Sequence, residues 1–158
     1  MVDYKPVTTQ MELDFKMLSG SAARPILQNS TEYRQLVGPL MFLVNSHLDI
    51  YFEVNMLSQH MVKPHHIHWI GAKNPLRYLH GTITYGLRYT VGDVRLLRYN
   101  DANWVGSVVD CKSTSGCYFS LGSTSISWMN RKQKSVALSI AEAEYITASM
   151  ATSEAVWL

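Results

Sequence analysis

The spacing of apolar residues changes near residue 85, and this change constrains the fold more than any other feature of the sequence. Before it, apolar residues recur every three or four positions, as on one face of a helix. After it, short runs rich in aromatic and β-branched residues are separated by glycine-containing turns, which is typical of strands. The sequence therefore predicts an α+β chain, with a helical amino-terminal part followed by a sheet.

The first helix is predicted to follow an irregular lead-in over residues 1–32, which prolines and the tract SGSAA interrupt. Helical spacing begins at Thr31. The dipeptide Gly38-Pro39 predicts a break in this helix or a later start, because proline removes a backbone hydrogen bond and clashes with the preceding turn. The apolar face of the helix comprises Leu36, Leu40 and Leu43.

Two further helices are predicted before residue 85. Asp49 is expected to cap the second helix. Pro64 suits the first turn of the third, which is expected to end at Gly81. Pro75 lies inside that pattern, so we predict a kink or break near Asn74. The apolar face of the second helix comprises Ile50, Val54, Leu57 and Met61.

The second half predicts four strands and one helix. The runs GLRYT (86–90) and VRLLRYN (94–100) are expected to form strands joined by a turn at residues 91–93. The run GCYFSLGSTSISWM predicts a hairpin that turns around Gly122. The last helix is expected to begin near Ser139, because Ser139 and Glu142 form a capping-box pattern.

One carboxylate of the last helix is expected to face the sheet. At 100° per residue, Glu144 shares a face with an alanine stripe, whereas Glu142 points the opposite way. A buried carboxylate is costly unless it is paired, hydrogen-bonded or bound to a metal. Asp101, near a strand end, could complete a magnesium site with Glu144. In the alternative interpretation, Glu144 reaches solvent and Asp101 opens a turn. Spacing alone favours this alternative. The stripe comprises Ala141, Ala148, Ala151 and Ala155.

Charge and hydropathy exclude few partners. The net charge of +2 is too small to indicate nucleic acid or a membrane surface, and no apolar run approaches the length of a membrane span. Residues 1–16 carry acids where a signal peptide would be apolar, so no secretion signal is expected. Cys111 and Cys117 are expected to be free thiols. Four histidines of the third helix are expected to pack or lie at the surface, with zinc binding as the alternative: His65, His66, His68 and His80.

Several linked motifs of this chain resemble one known family. The stretches DANWVGSVVDCKSTSG, SISWMNRKQ and VALSIAEAEY resemble the RNase H region of copia-type retrotransposon polyproteins. Upstream, YRQLVGPLMFLV, HLDI and HWIGAKNPLRYLHGT resemble the segment that joins reverse transcriptase to RNase H. The resemblance covers nearly all of residues 33–158. It implies a helical connection over 33–85 and a truncated RNase H-like domain, a sheet with one packed helix, over 86–158.

The resemblance implies a role for both acids. Asp101 matches the first catalytic aspartate of the family and Glu144 matches its helix glutamate, which hold magnesium during cleavage of RNA in an RNA–DNA hybrid. A further family aspartate normally follows the last helix, beyond Leu158. We therefore expect a catalytically inactive remnant that stays inside the cell. Asp101 and Glu144 would be vestigial metal ligands, and Mg²⁺ is the ion expected at them if the residual nuclease site still binds one. Other departures from the family pattern are Leu48, Pro75, Asn103 and Cys111.

The alternative function belongs to a different class. The tetrapeptide Arg95-Leu96-Leu97-Arg98 matches R-x-L-R, which marks effectors that oomycete plant pathogens deliver into host cells. Short copia-like chains similar to this one are described as secreted effectors of that class. This alternative implies a secreted, non-enzymatic protein that enters the host nucleus or cytoplasm, binds a host plant protein and suppresses defence or cell death. The position of the motif in a predicted strand argues against it.

Overall fold

The computed structural model describes residues 5–11, 25–89, 92, 94–107 and 110–158. The chain divides into two compact units, Met1–Gly86 and Leu87–Leu158, each of which is described by itself. The first is helical and the second contains a sheet with a helix packed on it, which confirms the mixed α+β class. The assignment of residues 33–85 to a connection and of 86–158 to an RNase H-like domain stays a prediction.

The helical unit contains four α-helices and a short 3₁₀ turn among its described residues. Asn29 caps the first helix, since its Oδ1 accepts hydrogen bonds from the backbone N–H groups of Thr31, at 3.1 Å, and Glu32, at 3.4 Å. The elements are α1 (Ser30–Leu43), the 3₁₀ turn (Leu48–Ile50), α2 (Tyr51–Ser58), α3 (His66–Gly71) and α4 (Lys73–Gly81).

Helix α1 continues through Pro39, so the predicted break is wrong. Pro39 and Gly38 are exposed, whereas Val37 and Leu40 beside them are buried. A proline inside a helix costs about 3 kcal/mol, but carbonyl groups that lose their partner on the solvent side can bond water. Burial of the two flanking apolar side chains offsets this cost, and the helix ends only at Leu43.

Asp49 is not the cap of the second helix, which corrects the prediction. It lies within the 3₁₀ turn, and α2 begins two residues later at Tyr51. Burial raises the pKa of the Tyr78 hydroxyl, and a hydrogen bond with Asp49 raises it further. A tertiary contact with α4 therefore occupies the carboxylate that the sequence pattern assigned to a cap.

The third predicted helix is broken at Ala72, two residues before the predicted position. Pro75 is the third residue of α4, where a backbone N–H would have no partner within the helix. The helix ends at Gly81, as predicted. Pro64 precedes the capping residue His65 instead of lying in the first turn, so that part of the prediction is wrong.

Two apolar clusters form the core of the helical unit, and part of the lead-in packs against them. Tyr33 is fully buried, and its hydroxyl donates to the carbonyl of Leu57 at 2.8 Å. The N–H of Leu27 donates to the carbonyl of Pro64 at 2.9 Å, which ties the lead-in to α3. The buried residues are Tyr33, Val37, Leu57 and Ala72 in one cluster, and Leu40, Ile50, Val54 and Tyr78 in the other.

The second unit contains an antiparallel three-stranded sheet in the order β1-β2-β3. The hairpin between β2 and β3 turns at Gly122, as predicted, and the φ of +60° at this glycine explains its use there. Residues 86–89 of the predicted strand GLRYT are not in a strand, while 90, 91 and 93 lie outside the described residues. The elements are β1 (Leu96–Asn103), β2 (Thr114–Leu121), β3 (Thr124–Lys132) and α5 (Ile140–Trp157).

Helix α5 begins at its predicted cap, although the capping box is incomplete. The Oγ of Ser139 accepts from the N–H of Glu142 at 3.1 Å. The Glu142 carboxylate accepts from the N–H of Leu138, at 2.7 Å, where the reciprocal pattern would use that of Ser139. The start of the helix therefore has both hydrogen bonds of a capping box, but Glu142 accepts from the N–H of Leu138 instead of that of Ser139.

The face of α5 that packs on the sheet overlaps the predicted one at Ala151 and Ala155 but is rotated from it. The buried residues are Ala143, Thr147 and Ala151, whereas Ala141 is exposed and Ala148 is half-buried. Ala151 packs against the fully buried Phe119 of β2. The helix is therefore rotated from the prediction, because a polar side chain, Thr147, occupies the centre of the buried face.

A buried hydrogen-bond network explains this rotation. Gln133 Nε2 donates to Ser115 Oγ and to the carbonyl of Ala143, both at 3.0 Å. Thr147 Oγ1 donates to the Ala143 carbonyl at 2.9 Å, and the Ser115 and Thr147 hydroxyls are 2.6 Å apart. Gln133, Ser115 and Thr147 are all buried. Because unpaired polar groups are costly inside a protein, the network fixes one orientation of α5 on β2.

None of the helices in the described parts of the chain combines the length and the apolar character that a membrane span requires.

We expect Gln133→Leu to lower the free energy of unfolding of the sheet unit by about 2 kcal/mol. The substitution removes the Nε2 donor that Ser115, Thr147 and the Ala143 carbonyl share, and leaves only the bonds that involve the Thr147 hydroxyl. Urea unfolding, followed through the backbone amide NMR signal of Phe119, measures the change in this unit. The matched control is Gln59→Leu, an exposed position where we expect a change below about 0.5 kcal/mol. Equal stability of the two variants would contradict the role of the network.

Candidate functional site

Glu144 contacts the sheet beside Asp101. Its Oε1 accepts a hydrogen bond from the backbone N–H of Ala102, at 3.3 Å, and the side chain is half-buried. The cap at Ser139 and the network around Thr147 set the position of the helix start, and Glu144 lies between these two anchors. Glu144 therefore reaches the sheet, as the helical spacing predicted. Its partner there is a backbone amide, which no sequence pattern indicated.

Asp101 lies on the other face of the sheet. It pairs with Gly116 of β2 and is exposed. Because side chains alternate along a strand, Asp101 points away from α5, whereas Ala102 and Arg98 point towards it. The two carboxylates therefore approach the same stretch of β1 from opposite faces. Whether they share an ion stays a prediction. Within the described residues, no three His, Cys, Asp or Glu side chains are grouped so as to hold a metal ion.

Glu144 is not the only acid of α5 that contacts the sheet, which corrects the prediction. Glu154 is half-buried, and its Oε1 accepts from the hydroxyl of Ser127 on β3 at 3.4 Å. The buried face is centred on Ala143, Thr147 and Ala151, and Glu154 follows Ala151 by three residues. The predicted stripe was centred elsewhere and therefore missed it.

A tight turn after β1 connects the strand to the segment before α5. Trp104 Nε1 donates to the carbonyl of Ala137 at 3.2 Å, and the N–H of Val105 donates to Ser113 Oγ at 3.3 Å. Val105 has a φ of +48°. A Cβ on Gly106 would lie 2.8 Å from the side-chain nitrogen of Asn103 and 3.3 Å from its carbonyl oxygen, so a larger residue would require the Asn103 side chain to move. The family-like stretch after Asp101 is therefore a structural turn that orients the end of β1.

The tetrapeptide Arg95-Leu96-Leu97-Arg98 is part of the sheet. The Arg95 carbonyl accepts from the N–H of Gly122 at 2.8 Å, and the next three residues belong to β1. Arg98 Nη1 donates to Thr152 Oγ1 of α5 at 2.8 Å. Arg95 is exposed. The motif therefore contributes to the fold, and its targeting role stays a prediction.

The two cysteines are free thiols with different surroundings. Cys111 is exposed and has a φ of +53°, whereas Cys117 is buried on the sheet face that packs against α5. Burial raises the pKa of the Cys117 thiol, so that it stays protonated near neutral pH.

Histidines of the helical unit pack against one another. His68 is buried, and its Nδ1 accepts from the backbone N–H of His65 at 3.0 Å. The rings of His60 and His68 stack with centroids 3.8 Å apart. Burial, together with the smaller effects of the neighbouring His60 and His65, lowers the pKa of His68 to about 4. His68 therefore packs in the interior, as the sequence favoured; its contact with His60 was missed, because that residue precedes the predicted helix. His66 and His80 are exposed.

Comparison with known proteins places the chain in a family. It is 40% identical over 159 residues to the retrovirus-related Pol polyprotein from transposon RE2 of Arabidopsis thaliana, matching 100% of this chain and 11% of that protein. It is 35% identical over 163 residues to the corresponding polyprotein from transposon TNT 1-94 of Nicotiana tabacum, matching 12% of that protein. No family model and no solved structure matches.

A shorter relative is matched over most of its length. The chain is 45% identical over 128 residues to the secreted RxLR effector protein 161 of Plasmopara viticola, which covers 80% of this chain and 90% of that protein. The chain therefore belongs to the family of copia-type retrotransposon Pol polyprotein sequences, and it is similar to this effector as well. It is retroelement-derived and spans about a tenth of the polyproteins.

We expect the helical unit to lose stability as the pH falls from 6.5 towards 4. The pKa of His68 is lowered from 6.5 to about 4 in the folded chain, so the unfolded chain binds more protons between these values. Stability is fully present above pH 6.5, and the loss is on the order of 3 kcal/mol by pH 4. Urea unfolding at pH 7.5 and pH 5 measures it.

His68→Gln should flatten this pH dependence, because glutamine can accept from the His65 amide and does not titrate. His66→Gln, at an exposed position of the same helix, is the control and should retain the slope. An unchanged slope in His68→Gln would show that another group carries the effect.

Proposed function

We propose that this chain is a non-catalytic remnant of the RNase H region of a copia-type polyprotein. The observation that carries the proposal is the hydrogen bond between Glu144 and the amide that follows Asp101. It places the helix acid Glu144 beside the strand segment that carries Asp101, at the two positions where the family resemblance expects acids. Homology over the full chain and an antiparallel sheet with one packed helix agree with this origin.

The arrangement of the acids supports the loss of catalysis. Two-metal hydrolysis needs oxygen ligands that converge on a pair of ions about 4 Å apart. Here one oxygen of Glu144 is engaged by a backbone amide, and Asp101 points from the opposite face of the sheet. Asn103, which shares the face of Asp101, offers a neutral amide where the family pattern has an acid. These residues do not fit a two-ion site, so we derive no metal-dependent step.

Purified protein should not cleave the RNA strand of an RNA–DNA hybrid in the presence of Mg²⁺. Denaturing gel electrophoresis of a labelled hybrid measures the cleavage. The double variant Asp101→Asn, Glu144→Gln keeps the side-chain shapes and sets the background, and an active RNase H is the positive control. Cleavage at least tenfold above this background, abolished by Asp101→Asn alone, would contradict the proposal.

A second candidate function is that of a secreted effector, and the match to most of the RxLR effector protein 161 favours it. In this reading the chain binds a host plant protein in the host nucleus or cytoplasm, and suppresses defence or cell death without catalysis. A folded sheet and helix can provide such a binding surface whether or not the inherited acids are functional. Because Arg98 and its neighbours belong to β1, any recognition of the motif would take place on the folded surface.

Expression inside plant leaf cells tests the effector function. We expect the chain to reduce the cell death that a co-expressed elicitor induces, and we expect Asp101→Asn to act equally well because no chemistry is involved. Ion leakage from leaf discs measures cell death. Phe119→Asp, which places a charge in the core of the sheet unit, is the unfolded control. Unchanged cell death with the intact chain would remove the support for this function.

A further inference from the structure

The chain between the end of β3 and α5 begins with a run of positive charge that ends at a serine. This basic segment, residues 131–135, has the sequence RKQKS, so three cations lie within the four residues before the hydroxyl. Arg131 and Lys134 are exposed, and Lys132 is half-buried. Since the net charge of the whole chain is only +2, the basic segment is a local concentration of positive charge.

Ser135 lies at an exposed tip of the chain. Lys134, Ser135 and Val136 are exposed in a row, whereas Gln133 before them and Ala137 after them are buried. The three exposed residues belong to neither β3 nor α5. The serine hydroxyl is therefore presented between two fixed points, outside regular secondary structure.

Hydrogen bonds hold the two fixed points and not the tip. The backbone N–H of Gln133 donates to the carbonyl of Ser113 at 2.8 Å, and the carbonyl of Ala137 accepts from Trp104 Nε1 at 3.2 Å. Within the described residues, Ser135 and its two neighbours make no hydrogen bond that would have to break. An enzyme that modifies a folded protein needs such a segment, because the chain has to enter its cleft.

Two of the three cations are available to a binding partner. Lys132 Nζ lies 3.0 Å from Asp110 Oδ2, which is an ion pair at the edge of the basic segment. In the parts of the chain that the structure describes, no carboxylate pairs with Arg131 or Lys134. Carboxylates in the cleft of an enzyme can therefore pair with these two side chains, and such charge complementarity gives specificity and fast association.

We propose that Ser135 is a phosphorylation site for serine/threonine kinases that bind cations on the amino-terminal side of the acceptor. The Ser135 Oγ attacks the γ-phosphorus of ATP, so that an Oγ–phosphorus bond forms and the bond to the β–γ bridging oxygen breaks. ADP leaves, and the hydroxyl proton passes to a base of the kinase. Both candidate functions imply a compartment that contains ATP, so the inference does not depend on the choice between them.

Burial distinguishes Ser135 from the hydroxyl groups that follow another cation. Ser113, Thr114 and Ser115 come one to three residues after Lys112, but all three are buried. The hydroxyls of Ser113 and Ser115 also accept hydrogen bonds within the sheet unit. The sequence alone offers both places to a kinase, and the fold leaves only Ser135 accessible.

The phosphate would change the charge of the basic segment. A phosphoserine carries roughly −1.5 to −2 charges at neutral pH, so the segment would fall from three positive charges to about one. The phosphate would also compete with Asp110 for the ammonium group of Lys132. Modification therefore converts the most basic stretch of the sheet unit into a nearly neutral one.

Incubation of the full chain with ATP, Mg²⁺ and the catalytic fragment of protein kinase C tests the proposal. We expect about one phosphate per chain, located at Ser135 by tandem mass spectrometry and lost in Ser135→Ala. Arg131→Gln and Lys134→Gln should each lower kcat/KM about fivefold, because each removes a cation that the kinase binds. Lys63→Gln removes the same charge from an exposed position of the helical unit and should react like the original chain.

The amide NMR spectrum of each variant checks that it is folded, since an unfolded chain would also expose residues 113–115. Ser149→Ala, which removes an exposed hydroxyl of α5, should still take up one phosphate at Ser135. A folded chain that takes up no phosphate at Ser135 would overturn the proposal. So would equal kcat/KM for Lys134→Gln and Lys63→Gln, because the cations would then not guide the kinase.

Discussion

The buried hydrogen bonds around Gln133 set the geometry on which the rest of the sheet unit depends. They connect the segment after β3, the middle strand and α5 through Gln133, Ser115 and Thr147. A helix packed on a sheet by alanines alone could rotate at little cost, whereas buried hydrogen bonds from Gln133 Nε2 and the two hydroxyls favour one orientation. That orientation places Glu144 at the Ala102 amide, and it leaves Ala141 exposed and Ala148 half-buried. The geometry of the candidate acid site is a consequence of it.

The helical unit shows how burial overrides local helix signals. Pro39 is tolerated because it lies on the solvent-facing side of α1, while Val37 and Leu40 on the other side are buried. Pro75 is tolerated because it lies in the first turn of α4. The chain breaks between α3 and α4 at Ala72, which is itself fully buried, so the interruption is part of the core and not a flexible joint. His68 belongs to the same interior, and its low pKa follows from that burial.

The two candidate functions share one physical premise. A retroelement-derived sheet and helix can remain folded after its acids lose their catalytic arrangement, because the core and the Gln133 network do not include them. Such a fold keeps a surface that a partner can bind, which includes the outer strand β1, the exposed Arg95 and the turn at Trp104. A binding function and a remnant of an enzyme are therefore compatible in one chain.

The sequence by itself determined the α+β class, the hairpin at Gly122, the start of α5 at Ser139 and the end of α4 at Gly81. These follow from local chemistry, such as a positive φ, a capping side chain or a helix stop, which neighbouring residues decide. The motifs also led to Asp101 and Glu144 as the residues of interest.

Only the tertiary structure decided which face of α5 is buried, that Asp49 bonds Tyr78 instead of capping a helix, and that Asp101 and Glu144 approach β1 from opposite faces. Contacts between residues distant in sequence settle these points, because a spacing pattern gives the period of a helix but not its rotation against a sheet.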